Sequence, residues 1–150
     1  MRRIFVTIIF VIVLSGCGQK NPYDTVYVDG TVTLDGVPIA NANVIFAPLG
    51  NGNTAGGLTD ASGKYKLTTG GAPVGSGAIP DDYDVTFFKA EIEGANLTEE
   101  EYEKQIGNRM PKNIYIIPEK YTDTATSGIT PVKVEKGKKN TFNFNLTTKE

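Results

Sequence analysis

Histidine and tryptophan are absent from this 150-residue chain, and cysteine occurs once, at position 17. Without histidine there is no histidine acid–base catalysis, no Ser-His triad and no His-ligated zinc. A single cysteine excludes an intramolecular disulfide. A long hydrophobic run is also missing. The apolar stretch Ile4–Leu14 (IFVTIIFVIVL) would cover about 16 Å as a helix, against a hydrocarbon core of about 30 Å. Nor is there an excess of basic charge. Fifteen basic groups less Arg2 and Arg3, which fall in the N-terminal segment, leave thirteen against seventeen acidic ones, a net charge of −4. That balance offers no footprint for neutralising nucleic-acid phosphates.

What the chain does contain is glycine and proline, seventeen and eight of them, among many Thr, Val and Tyr. Short strands joined by tight turns are the expectation, hence an all-β fold. With 39% hydrophobic and 21% charged residues, the length suits one folded domain with one core.

The N-terminus has the zones of a secretion signal: Met1-Arg2-Arg3, the apolar stretch, then the small residues Ser15 and Gly16. Leu14-Ser15-Gly16-Cys17 also resembles the bacterial lipobox, in which small residues precede a cysteine that is thioether-linked to diacylglycerol. The resemblance implies a signal peptide over 1–17 that ends at the lipobox cysteine, and lipidation of Cys17. It also implies attachment to a membrane, since each buried acyl CH₂ contributes about 0.8 kcal/mol. Gly18 stands where enterobacterial lipoproteins carry an inner-membrane retention aspartate, which implies the outer membrane, facing periplasm or surface. Residues 18–25 (GQKNPYDT) are polar and read as a tether.

From residue 26 to 148 the pattern is that of a β-domain. Val26, Val28, Val32 and Leu34 alternate with Tyr27, Asp29, Thr31 and Thr33, a half-buried strand that ends at the turn dipeptide Asp35-Gly36. Further strands are expected over 42–47, 56–59, 64–68, 83–87, 130–135 and 141–147. Their inward residues are Val44 and Phe46, Tyr65 and Leu67, Tyr83, Val85 and Phe87, Val132 and Val134, and Phe142, Phe144 and Leu146. One segment breaks the rhythm. Thr98 with Glu101 makes a capping box, Leu97 with Tyr102 suits a hydrophobic staple, and Gly107 suits a C-terminal cap. The fold class expected is therefore a seven-stranded antiparallel β-sandwich with a short helical insertion, about 90–117, between the fifth and sixth strands.

Four segments carry a family resemblance: Gly30–Ala42 (GTVTLDGVPIANA), Thr59–Tyr65 (TDASGKY), Ile79–Val85 (IPDDYDV), and Ile117–Tyr121 (IPEKY) with Thr126–Ile129 (TSGI). The body resembles the carboxypeptidase regulatory-like or transthyretin-like (prealbumin-like) sandwich domains of bacterial, planctomycete-type lipoproteins. That resemblance implies the architecture and no active residues, because the family is mostly accessory, stabilising or adhesive. Hydroxyisourate hydrolases of the transthyretin fold depend on histidines, which are absent here. An isopeptide crosslink needs a lysine that the first strand lacks.

Other candidate sites have simpler readings. Glu99, Glu100, Glu101 and Glu103 suit a first helical turn better than a cation site. Asp60-Ala61-Ser62-Gly63 lacks the spaced oxygens of a calcium loop. Asp81, Asp82 and Asp84 do not face one another across a cleft as glycoside hydrolysis requires. Gly70–Gly77 is not followed by the lysine and helix of a phosphate-binding loop. The sequons at Asn96 and Asn145 are coincidental in a bacterial protein. Tyr102, Tyr115 and Tyr121 are the tyrosines free to stack on a sugar.

The expectation is a lipid-anchored cell-envelope protein, non-catalytic, with no cofactor, no metal and no nucleic-acid partner. It would act as a structural or interaction module for an envelope protein. The alternative is a module that binds envelope or extracellular carbohydrate.

Overall fold

The computed structural model describes residues 20–149; Leu14, Ser15, Gly16 and Cys17 lie outside them. The described chain is mostly β. Its strands are β1 (Val28–Leu34), β2 (Val37–Pro38), β3 (Asn43–Pro48), β4 (Ala55–Leu58), β5 (Lys64–Lys66), β6 (Thr68–Thr69), β7 (Asp81–Phe88), β8 (Ala90–Ile92), β9 (Asn113–Tyr115), β10 (Val132–Val134), β11 (Asn140–Thr141) and β12 (Phe144–Leu146). Its helices are α1 (Glu99–Gln105) and α2 (Thr124–Ser127), with a 3₁₀ turn at Glu119–Thr122.

Two sheets face each other across one core. In the first, β1 is central and pairs with β2 and β5 on one edge and with β11 and β12 on the other. The second has the order β10-β7-β3-β4-β6, and β8 with β9 forms a separate ribbon. The body is thus sandwich-like. Val28 and Val32 from one sheet and Val44, Phe46, Tyr83, Val85 and Phe87 from the other belong to a single buried cluster. Phe46 packs on Tyr65, Tyr83, Phe142 and Phe144, and the Phe87 and Phe144 rings meet across the sheets with centroids 4.9 Å apart. Offset and edge-on packing of this kind adds about 0.5–1.5 kcal/mol per pair beyond area burial.

Two features depart from the expected fold. The strands number twelve among the described residues, not seven. Every expected strand segment contains strand, but 64–68 divides at Leu67 and 141–147 divides at Phe142–Asn143, while β2, β8 and β9 are additional. The sheets are also not wholly antiparallel, because β1 runs parallel to both β11 and β12. The first and last strands enter their sheet from the same end. Parallel neighbours need a crossover, and the whole second sheet lies between them in sequence.

The divisions have physical causes. At Leu67 the strand changes sheets: Lys64–Lys66 pairs with β1 and Thr68–Thr69 with β4. Leu67 is fully buried and donates its amide to Val28 O at 3.0 Å. The crossing is close enough that a Cβ on Gly57 would lie 2.5 Å from Lys66 O. Strands that bend from one sheet into the other make such corners. The opposite flank is closed by the segment after β9, which buries Ile117 and Tyr121.

Local signals are obeyed. Asp35 (φ 50) and Gly36 (φ 82) form the two-residue turn from β1 to β2, both with the positive φ that matches strand twist. Thr98 and Glu101 form the reciprocal capping box at the start of α1, and Gly107 (φ 55) follows its end. The insertion is not simply helical: β8 and β9 form a ribbon from which α1 projects. Tyr102 and Ile106 pack closely over Gly94, and Arg109 grips Glu93 with two hydrogen bonds of 2.7 and 2.8 Å.

Candidate interaction surfaces

The outer face of the first sheet carries a polar zipper between β1 and the C-terminal strands. Thr141 donates to Asp29 (2.7 Å), Thr31 to Asn143 (2.8 Å), Thr33 to Asn145 (2.7 Å) and Thr147 to Asp35 (3.0 Å), four rungs at one sequence offset of 112 residues. The hydroxyls and carboxamides that face outward by parity satisfy one another. Their bonds fix the register of the parallel pair.

The break between β11 and β12 sits inside this zipper. The Phe142 carbonyl accepts the Tyr65 hydroxyl at 2.8 Å, and the Asn143 side-chain oxygen takes the Thr31 amide at 3.0 Å. A Cβ on Gly30 would stand 1.7 Å from that carbonyl, so only glycine lets the two strands meet here. Burial raises the Tyr65 hydroxyl well above its ordinary pKa, and Asp29 adds to the effect. It is held as a donor and is no acid at neutral pH.

Beside the zipper, Asp29, Thr31, Lys64, Lys66, Asn143 and Val74 border an open groove of about 830 Å³. Lys66 Nζ lies 5.9 Å from the Tyr27 ring centre, and Tyr27 is half exposed. Carboxylate, ammonium, hydroxyl and amide groups converge here on a shallow surface. They can form hydrogen bonds with a polar ligand.

The outer face of the second sheet is different. Leu58, Asn43 and Phe88 lie in one row across β4, β3 and β7, and Gly56, Ile45 and Thr86 in the next. Phe88 meets Tyr115 of β9 edge-on at 6.1 Å. Leu58, Ile45, Phe88 and Tyr115 are all exposed, so an apolar strip runs from the sheet face onto the insertion.

The clustered acids are occupied by local structure. Asp60 Oδ1 accepts from Ser62 N, Ser62 Oγ and Lys64 N, which holds its carboxyl below the usual range, the Ser62 hydroxyl contributing most. Glu101 caps α1 and Glu100 pairs with Lys104. Asp82 and Asp84 share the outer face of β7 while Tyr83 between them points inward. Among the described residues no three His, Cys, Asp or Glu side chains come together to hold a metal ion, and no helix is long and apolar enough to cross a membrane.

Of the three tyrosines expected to be free, one is not. Tyr121 is 4% exposed, and its hydroxyl accepts the Thr147 amide at 3.0 Å. The 3₁₀ turn presses it into the flank between β7 and β12. Tyr102 is half-buried over Gly94 and Tyr115 is exposed.

Comparison with known proteins finds no match, whether to a family model, a curated sequence or a solved structure. The zipper, the Tyr65–Phe142 bond and the apolar strip were not read from the sequence. The strip had a signal there: Ile45, Leu58 and Phe88 are large apolar residues at outward parity, next to inward neighbours that already fill the core.

Proposed function

We propose that this chain is a lipid-anchored module of the cell envelope: a transthyretin-like, carboxypeptidase regulatory-like sandwich held at the membrane through Cys17, non-catalytic, acting through contacts with an envelope protein. The observation that carries the reading is the proximity of the lipobox-like cysteine to a folded β-body. Three residues separate Cys17 from Lys20, and the chain is already paired with the body at Val26, whose amide donates to Ala78 O at 2.8 Å. A thioether-linked lipid at position 17 would leave the domain little freedom to leave the membrane. The apolar strip of Ile45, Phe88 and Tyr115 is the surface such a module offers a protein partner, since contiguous exposed apolar area is what protein contacts bury.

The groove beside Lys64 and Lys66 favours a second reading, binding of envelope or extracellular glycan. Its hydroxyl, amide and charged groups suit sugar hydroxyls, and Tyr27 stands next to it for stacking. This places the glycan surface away from Tyr121.

The test is detergent-phase partitioning of the full-length protein expressed in a bacterium, beside Cys17→Ala. The anchored reading expects wild type in the detergent phase and the variant in the aqueous phase. Both in the aqueous phase would overturn it.

A further inference from the structure

One end of the body gathers elements that are far apart in sequence. The tether folds against it: Tyr23 packs on Gly71 and Asp24 pairs with Lys136. The 70–78 loop and the β10–β11 hairpin are therefore neighbours of the point where the chain arrives from Cys17. The 49–54 loop joins them, since Leu49 N donates to Asp82 O at the start of β7 and Asn53 bonds Gly70 O.

The tips at this end have a distinct chemistry. Val74 is 96% exposed and Leu49 57%, each at the apex of a glycine-rich loop with no described neighbour that buries it. The hairpin tip reads Glu135-Lys136-Gly137-Lys138-Lys139, three cations to one anion on a body of net negative charge, and Lys20 of the tether is exposed beside it. The insertion leaves from the other end of β7, and eight residues of strand place it about 25 Å away. Its helix carries Glu99, Glu100, Glu101 and Glu103.

We propose that this end docks on the surface of an anionic bilayer, Leu49 and Val74 entering the headgroup boundary and Lys20, Lys136, Lys138 and Lys139 contacting anionic headgroups. The inference rests on the anchored reading, because the three-residue link holds the end within about 11 Å of Cys17. Basic side chains near an anionic surface contribute about 1 kcal/mol each at most, and apolar tips add burial. Docking fixes the orientation: the acidic insertion and the apolar strip point away from the membrane, toward a partner.

The experiment is amide hydrogen exchange of the full-length acylated protein. It compares protein in vesicles of phosphatidylglycerol with phosphatidylethanolamine, in vesicles of phosphatidylcholine alone, and in detergent micelles. Docking predicts roughly tenfold slower exchange over 49–54, 70–78 and 135–139 in anionic vesicles only, with 89–116 unchanged. Lys136→Glu/Lys138→Glu/Lys139→Glu and Val74→Asp should abolish that protection while β1 and β7 exchange as in wild type, which shows that the variants are folded. Unprotected loops in protein that still co-sediments through acylated Cys17 would overturn docking and leave the anchor standing. Unacylated protein in the supernatant would overturn both.

Discussion

The Tyr65 hydroxyl reaches across the first sheet to the Phe142 carbonyl, 2.8 Å away, at the one point where β11 and β12 leave the ladder with β1. The bond joins the corner strand β5 to the C-terminal strand above Gly30, and so ties three strands together.

Tyr65→Phe leaves a part-buried carbonyl without its donor and should cost about 1–3 kcal/mol in urea denaturation. Gly30→Ala drives a methyl group into the same carbonyl and should cost about 3 kcal/mol or more. A Tyr65→Phe variant as stable as wild type would show that water or another donor replaces the hydroxyl.

Asn143 stands in for the backbone by accepting the Thr31 amide and hydroxyl. Asn143→Ala should lose about 1 kcal/mol, and Asn143→Asp, which keeps the acceptor, should lose less. Equal losses would mean that the rung is decorative.

The two faces of the second sheet should respond oppositely. Phe46→Ala opens a cavity in the aromatic cluster and should cost about 3–5 kcal/mol. Phe88→Ser, on the exposed strip, should cost under about 1 kcal/mol and weaken partner binding instead. Thermal melts of the two variants separate these outcomes.

Glu93 clamps the base of the insertion. Its pairing with Arg109 above all, and then the Lys112 amide, lowers its pKa to about 2. A depressed carboxylate contributes its stability in full above the unfolded range near 4.3 and loses it as pH falls through about 2. Amide exchange over 93–112 should therefore quicken below pH 4 in wild type. In Glu93→Gln it should already be fast at pH 7.

Inward and outward parity was legible because period-two alternation follows from strand geometry. Val28, Val44, Phe46, Tyr83, Val85, Phe87 and Leu146 are all buried as their positions require. The capping box of Thr98 and Glu101 was legible for the same reason: both are local. The parallel pairing of β1 with β12 was not, since nothing in either strand specifies a partner a hundred residues away until the Thr, Asn and Asp rungs are seen side by side. Tyr121 was misplaced because a tyrosine after a loop reads as exposed, and only the open flank between the sheets shows what it fills. The apolar strip escaped notice because Phe87-Phe88 reads as one hydrophobic pair, although its members face opposite ways.

The central claim is that Cys17 carries the lipid that holds this domain at a membrane, and the intact mass of the mature protein tests it most directly. The account predicts a chain that begins at Cys17 and bears a diacylglyceryl adduct. A mature chain that begins elsewhere, or a Cys17 with a free thiol, would contradict it.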